Sequence, residues 1–120
     1  MAMLDQPKLE QEVLELARED YYGLYEIIWI LNSSQPEISR KEKIRIADGV
    51  VRLLIDKGFI DLFSSEWKTQ SHKAILQKDY QKFLADDAAW QPGDNYISFT
   101  ATKAGEKFHK EKRVNRLNCV

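Results

Sequence analysis

One junction restricts what this chain can become: Leu54-Ile55-Asp56-Lys57-Gly58-Phe59-Ile60-Asp61-Leu62, where a helical pattern stops at Lys-Gly and an apolar strand pattern starts at once. A glycine just past a helix takes the left-handed conformation that a side chain resists, so the chain turns sharply at Gly58. A second junction, Tyr96-Ile97-Ser98-Phe99-Thr100-Ala101-Thr102-Lys103-Ala104-Gly105, reads as a strand with Ile97 and Phe99 on one side, closed by Thr102 as the cap of a last helix. Together they predict an α+β, mainly helical fold in which residues 59–63 pair with residues 96–100 as a two-stranded β ribbon. The mate of the first strand arrives only after some thirty intervening positions, and Ser71 as a cap with Leu76, Tyr80, Phe83 and Leu84 as an inward stripe predicts a helix over residues 71–89.

Upstream, Asp5 caps an amphipathic helix in residues 1–19, with Pro7 in its first turn and a narrow apolar stripe of Leu9, Val13, Leu16 and Ala17. The expectation is that Leu9, Val13 and Leu16 form an interface with a second copy or a partner. Residues 21–31 are apolar almost all round, which places that helix at the centre, and Glu26 is its lone charge. Ser39 with Glu42 predicts the start of a long helix running to Lys57. On the last helix, Ala104 and Phe108 are expected to face inward.

At 120 residues and 43% hydrophobic content the chain is read as one domain, 1–120, with enough apolar surface for a core of its own. The single cysteine, Cys119, excludes an internal disulfide, and no apolar run reaches the roughly 18 to 20 residues of a membrane span. With no basic and apolar leader at the start, a cytoplasmic location without membrane partners is expected. Net charge is −1, but it is unevenly placed. Residues 1–38 hold eight acidic and two basic side chains, residues 39–45 four basic and one acidic, and residues 103–120 six basic and two acidic, most of the latter in a basic tail over 110–120.

The sequence lacks the parts of a recognisable catalyst. His72 and His109 have no nucleophile at a characteristic spacing, the five glycines are scattered, and no cysteine and histidine set has zinc spacing. Asp86, Asp87 and Asp94 lack the loop spacing of a calcium site, so no metal or cofactor is expected. The strongest binding candidate is the cluster Arg40, Lys41, Lys43 and Arg45. Cations in the first turns of a helix oppose its dipole, so they signal either phosphate contact or neutralisation of the acidic first helix.

From the end of the long helix through the first strand (53–62), and from the second strand to its capping threonine (99–105), the chain resembles the winged-helix superfamily, in particular small bacterial domains of the MarR and PadR kind. The resemblance covers roughly residues 21–108. It implies that the 44–57 helix lies in a major groove and that the ribbon contacts the backbone or minor groove; the candidate nucleic-acid contacts, read from charge, are Arg40, Lys41, Lys43, Arg45, Arg52, Lys103, Lys107 and Lys110. Here the helix-turn-helix is reduced, since only Asn32 to Ser39 separate the central and long helices, and a helix is expected inside the wing. The resulting expectation is a non-enzymatic winged-helix-like module that binds a protein partner or itself as a homodimer. The alternative is a dimeric DNA-binding regulator; a third is a small-molecule binder or enzyme.

Overall fold

The computed structural model describes residues 6–108. Helix α1 (Gln6–Glu19) leads to a two-residue strand β1 (Tyr22–Gly23), then α2 (Leu24–Ser34) and α3 (Arg40–Asp56). After Gly58 come β2 (Ile60–Glu66) and β3 (Ser71–Ala74), a 3-10 turn (Gln77–Asp79), α4 (Tyr80–Leu84), a second 3-10 turn (Asp87–Trp90) and β4 (Asn95–Ala101). Residues 103–108 are helical. Among the described residues no helix is long and apolar enough to cross a membrane.

The two junctions meet. Gly58 has φ 74°, and its N–H donates to the Ile55 carbonyl at 2.8 Å while Phe59 N–H reaches the Leu54 carbonyl at 2.9 Å, closing α3. The Thr102 hydroxyl donates to the Gly58 carbonyl at 2.6 Å and its N–H to the Phe59 carbonyl at 2.9 Å. Thr102 Oγ1 in turn accepts the Gly105 N–H at 3.1 Å, as an N-cap should. A Cβ at Gly105 would lie 2.2 Å from the Phe59 carbonyl oxygen, so the last helix can dock this closely only with glycine there.

Between these junctions β2 and β4 run antiparallel, with Ile60 opposite Ala101, Leu62 opposite Phe99 and Glu66 opposite Asn95. The expected pairing is present, but the ribbon is part of a four-stranded antiparallel sheet in the order β1-β4-β2-β3. The helix expected over residues 71–89 does not form as such: the start of that segment is a strand of the sheet, and β1 adds the other. β2 offers a second edge of unpaired backbone groups, and the chain folds back through a turn with Gln70 at φ 53° to fill it with Ser71–Ala74. Beyond that strand, Ile75 N–H donates to the Leu62 carbonyl at 3.1 Å and the Tyr80 hydroxyl accepts the Leu62 N–H at 3.2 Å. Only Tyr80–Leu84 then stays α-helical, and Leu76 is 62% exposed instead of inward.

One sheet face carries Ile60, Leu62, Ile97 and Phe99 into the core, where they meet buried side chains of α1 (Val13, Leu14, Ala17), α2 (Leu24, Ile27, Leu31) and α3 (Ala47, Val50, Val51). Trp90 is fully buried, and its indole N–H donates to the Leu84 carbonyl at 3.2 Å. Helix α1 is thus a core element. Leu9 and Val13 are buried within this chain and Leu16 packs against the same cluster, which corrects the expectation that this stripe faces another molecule. The stripe is wider than the sequence suggested because Leu14 joins it. Ala104 is exposed and Phe108 stacks at the surface on Phe59, centroids 4.6 Å apart, so neither takes the inward place expected. The cap at Asp5, His109, Lys110, Cys119 and the basic tail fall outside the described residues.

Two outcomes follow for stability. Leu9→Ala should cost about 2–5 kcal/mol in denaturant unfolding, the usual range for a buried leucine; a shifted oligomeric state with an unchanged midpoint would contradict the placement of α1. Gly58→Ala should cost about 1–2 kcal/mol, because alanine resists the left-handed backbone there; an unchanged midpoint would contradict it.

Candidate functional site

The expected cationic cluster begins at the cap of α3. Ser39 Oγ accepts the Glu42 N–H at 3.1 Å, while the Glu42 carboxylate accepts from Arg45. That guanidinium holds the exposed Glu42 carboxyl below its usual range. Two turns on, Arg52 Nε donates to both Asp48 oxygens, at 2.9 and 2.8 Å, and its Nη1 donates to Gln81 Oε1 of α4. Lys41, Arg45 and Arg52 line a single cavity of about 320 Å³ together with Glu42, Asp48 and, from the segment between β3 and β4, Leu84 and Ala85. Arg40 is exposed at the helix start and Lys43 is buried, 8% exposed.

Lys103 and Lys107 are exposed on the helical turn docked at Gly58, the opposite end of α3. At 1.5 Å per residue the helix separates them from Arg45 by roughly 20 Å along its axis. The predicted residues therefore form two groups, with Arg52 between them. Among the described residues no ion pair is formed between either group and the acids of α1. The ion pair joining α3 to α1 among the described residues is Lys57 to Glu10, at 4.0 Å. Carboxylates read as metal candidates are engaged locally: Asp86 accepts the Ala88 N–H and Asp87 accepts from Gln91, and no metal-ligating group of three forms among the described residues.

A second region was not legible in the sequence. Residues directly opposite in a sheet share a face, so Ser65, Tyr96, Phe63, Ser98, His72 and Ala74 lie together on the side of the sheet away from the core. Ser65 Oγ is 2.7 Å from Ser98 Oγ and 2.7 Å from His72 Nδ1, a continuous hydrogen-bonded chain. Both serines are buried, 2% and 0% exposed, so the chain locks three strands together and keeps both hydroxyls from a substrate. Tyr21 stacks on the His72 ring at 3.9 Å with planes 4° apart and meets Phe63 edge-on at 5.0 Å.

Beside this hydrogen-bonded chain, where Tyr96 stands directly opposite Ser65, runs a row of four rings. Trp29 and Tyr25 of α2 meet at 4.9 Å, Tyr25 and Tyr96 at 5.8 Å, and Tyr96 and Trp67 at 5.5 Å. Trp29 and Trp67 are each 52% exposed. Glycine at position 23 makes the row possible, since a Cβ there would lie 2.3 Å from the Tyr25 ring. Sequence reading missed this region because it treated His72 as helical and Tyr25 as ordinary core. The signal available was the spacing of Tyr25 and Trp29, one helical turn apart, around Glu26.

Carboxylates surround these rings. Glu26 Oε2 accepts the Gly23 N–H at 2.7 Å, half a capping box, because glycine has no side chain to return the bond. Burial pushes the Glu26 carboxyl up; the Gly23 bond opposes that, and the nearby Asp20 charge adds to it. Burial likewise raises the Tyr25 and Tyr96 phenols, with the charge of Glu26 adding at both and that of Asp20 at Tyr96. Tyr22 is raised chiefly by donating to Glu19, with Glu26 and Asp20 contributing.

A raised folded-state pKa means that folding favours the neutral Glu26 carboxyl. Its contribution to stability is complete below the unfolded value and is lost as pH rises through the folded one. Glu26→Gln keeps an acceptor for Gly23 without the charge, so at pH 7 it should match or exceed the parent in denaturant unfolding. Glu26→Ala should lose about 1 kcal/mol. Equal losses in both variants would contradict the assignment.

No protein-family model matches the sequence, and comparison with curated proteins gives no match.

Proposed function

We propose that this chain is a winged-helix-like module that docks a protein partner through the outer face of its sheet. The observation that carries the reading is the row Trp29, Tyr25, Tyr96 and Trp67, whose two half-exposed indoles sit beside buried polar locks. Tryptophan and tyrosine dominate the energetics of protein interfaces, and a monomer gains little by leaving two indoles half in water. The order α1, β1, α2, α3, β2, β4 supports the winged-helix likeness, with β3 and α4 as the addition to the wing.

The second reading, a DNA-binding regulator, draws on two observations: α2 and α3 are joined by only five residues, and Lys41, Arg45 and Arg52 open onto one cavity. Against it, the helix face that would enter a groove is occupied. Arg45 and Arg52 are engaged by Glu42, Asp48 and Gln81, and Leu84 and Ala85 wall the same cavity. Phosphate contact would have to displace these partners.

A titration with random duplex DNA at about 50 and about 200 mM salt separates the two. The docking reading predicts no saturable binding at either salt concentration. Micromolar binding that weakens steeply with salt and disappears in Lys41→Glu/Arg45→Glu would overturn it in favour of a regulator.

A further inference from the structure

We infer that the ring row with Asp20 and Glu26 is a receptor for guanidinium groups, so that the partner presents an arginine-bearing basic segment. This rests on the docking reading above and names the chemistry of its partner.

Three features of the site converge. The first is ring geometry. Tyr25, itself buried, stands edge-on to both Trp29 (69°) and Tyr96 (79°), and Trp67 is tilted 36° to Tyr96, so the row holds the half-exposed indoles of Trp29 and Trp67 in fixed, different orientations. Aromatic faces carry negative quadrupole density and attract cations within about 6 Å of the ring centre.

The second is charge. Asp20 Oδ1 accepts the Tyr21 N–H at 2.7 Å and Glu26 Oε2 accepts the Gly23 N–H, so each carboxylate has one oxygen held in place. Asp20 Oδ2 and Glu26 Oε1 have no internal partner among the described residues, and neither residue is in an ion pair there. Glu26 stands on α2 between Tyr25 and Trp29 of the row, and its charge and that of Asp20 both act on Tyr96.

The third is the contrast with the cations of α3. Arg45 and Arg52 are paired within the protein, whereas Asp20 and Glu26 are in no ion pair among the described residues. An acidic or nucleic-acid partner would meet repulsion here. A basic segment gains both the field and the ring faces.

Arginine fits better than lysine. A planar guanidinium lies flat on an indole or phenol ring while its N–H edge reaches a carboxylate, and it is more weakly hydrated than an ammonium.

The test is a titration of the full chain with hexa-arginine amide, read by tryptophan emission and by the indole N–H signals in NMR. Trp29 and Trp67 report from the site and Trp90 from the core. Expected are saturable shifts of the two exposed indoles only, and weaker binding of hexalysine. Asp20→Asn/Glu26→Gln, which keeps the rings and an acceptor for Gly23, should weaken binding roughly tenfold. Trp29→Ala should weaken it by several-fold without altering the Trp90 signal.

Absence of saturable binding, equal binding of hexaglutamate, or binding that ignores both variants would overturn the inference. So would concentration-dependent self-association that shifts the same two indoles without peptide, because the occupant would then be a second copy. Failure here with no DNA binding leaves the docking reading standing. DNA binding removes the docking reading whatever the peptide does.

Discussion

The pairing of β2 with β4, clasped at one end by the bonds from Thr102 to Gly58 and Phe59, is the constraint on which the other elements depend. It joins residues about thirty-five positions apart, so loop closure costs entropy that only the buried contacts of Leu62 and Phe99 can offset. Once formed, it positions everything else. Helix α3 ends where β2 begins, the last described helix docks onto Phe59, and α1 is tied to β4 through the Thr100 hydroxyl, which donates to the Ala17 carbonyl at 3.0 Å.

The same pairing gives the sheet two unlike faces. On one, Ile60, Leu62, Ile97 and Phe99 join a continuous apolar core. On the other, Ser65, Ser98 and His72 satisfy one another in a chain, and rings surround them. Buried hydroxyls are costly unless bonded, so the chain fixes the register of three strands as firmly as apolar packing would. A one-residue slip would send Ser98 into the core and Phe99 to the outer face. The exposed indoles of Trp29 and Trp67 are held by this register, because Tyr96 bridges Tyr25 to Trp67.

What was legible in the sequence was what local chemistry decides. Gly58 after Lys57 announced the end of α3, Thr102 announced the last helix, and the alternation of Ile97 and Phe99 announced a strand. Glu26 stood out as the lone charge of an apolar helix, but its bond to the Gly23 N–H did not. The stretch after residue 70 misled because Leu76, Tyr80, Phe83 and Leu84 have helical spacing, while the unpaired edge of β2, a feature of the tertiary fold, selects a strand. The site was hidden for a related reason. Tyr25, Trp67, His72 and Tyr96 lie on four different elements, and only the sheet register brings them together. The cations of α3 were visible in the sequence, but the bond from Arg52 to Gln81 was not, since Gln81 comes from the misread segment.

Native-state amide hydrogen exchange tests the two-faced sheet most directly. The slowest amides should fall in residues 60–66 and 95–101 together with the buried turns of α2 and α3, opening as one unit, while the outward amides of β3 exchange far sooner. Exchange of β2 and β4 as fast as that of β3, with α2 and α3 still protected, would contradict a sheet built on this pair and remove the surface that the ring row requires.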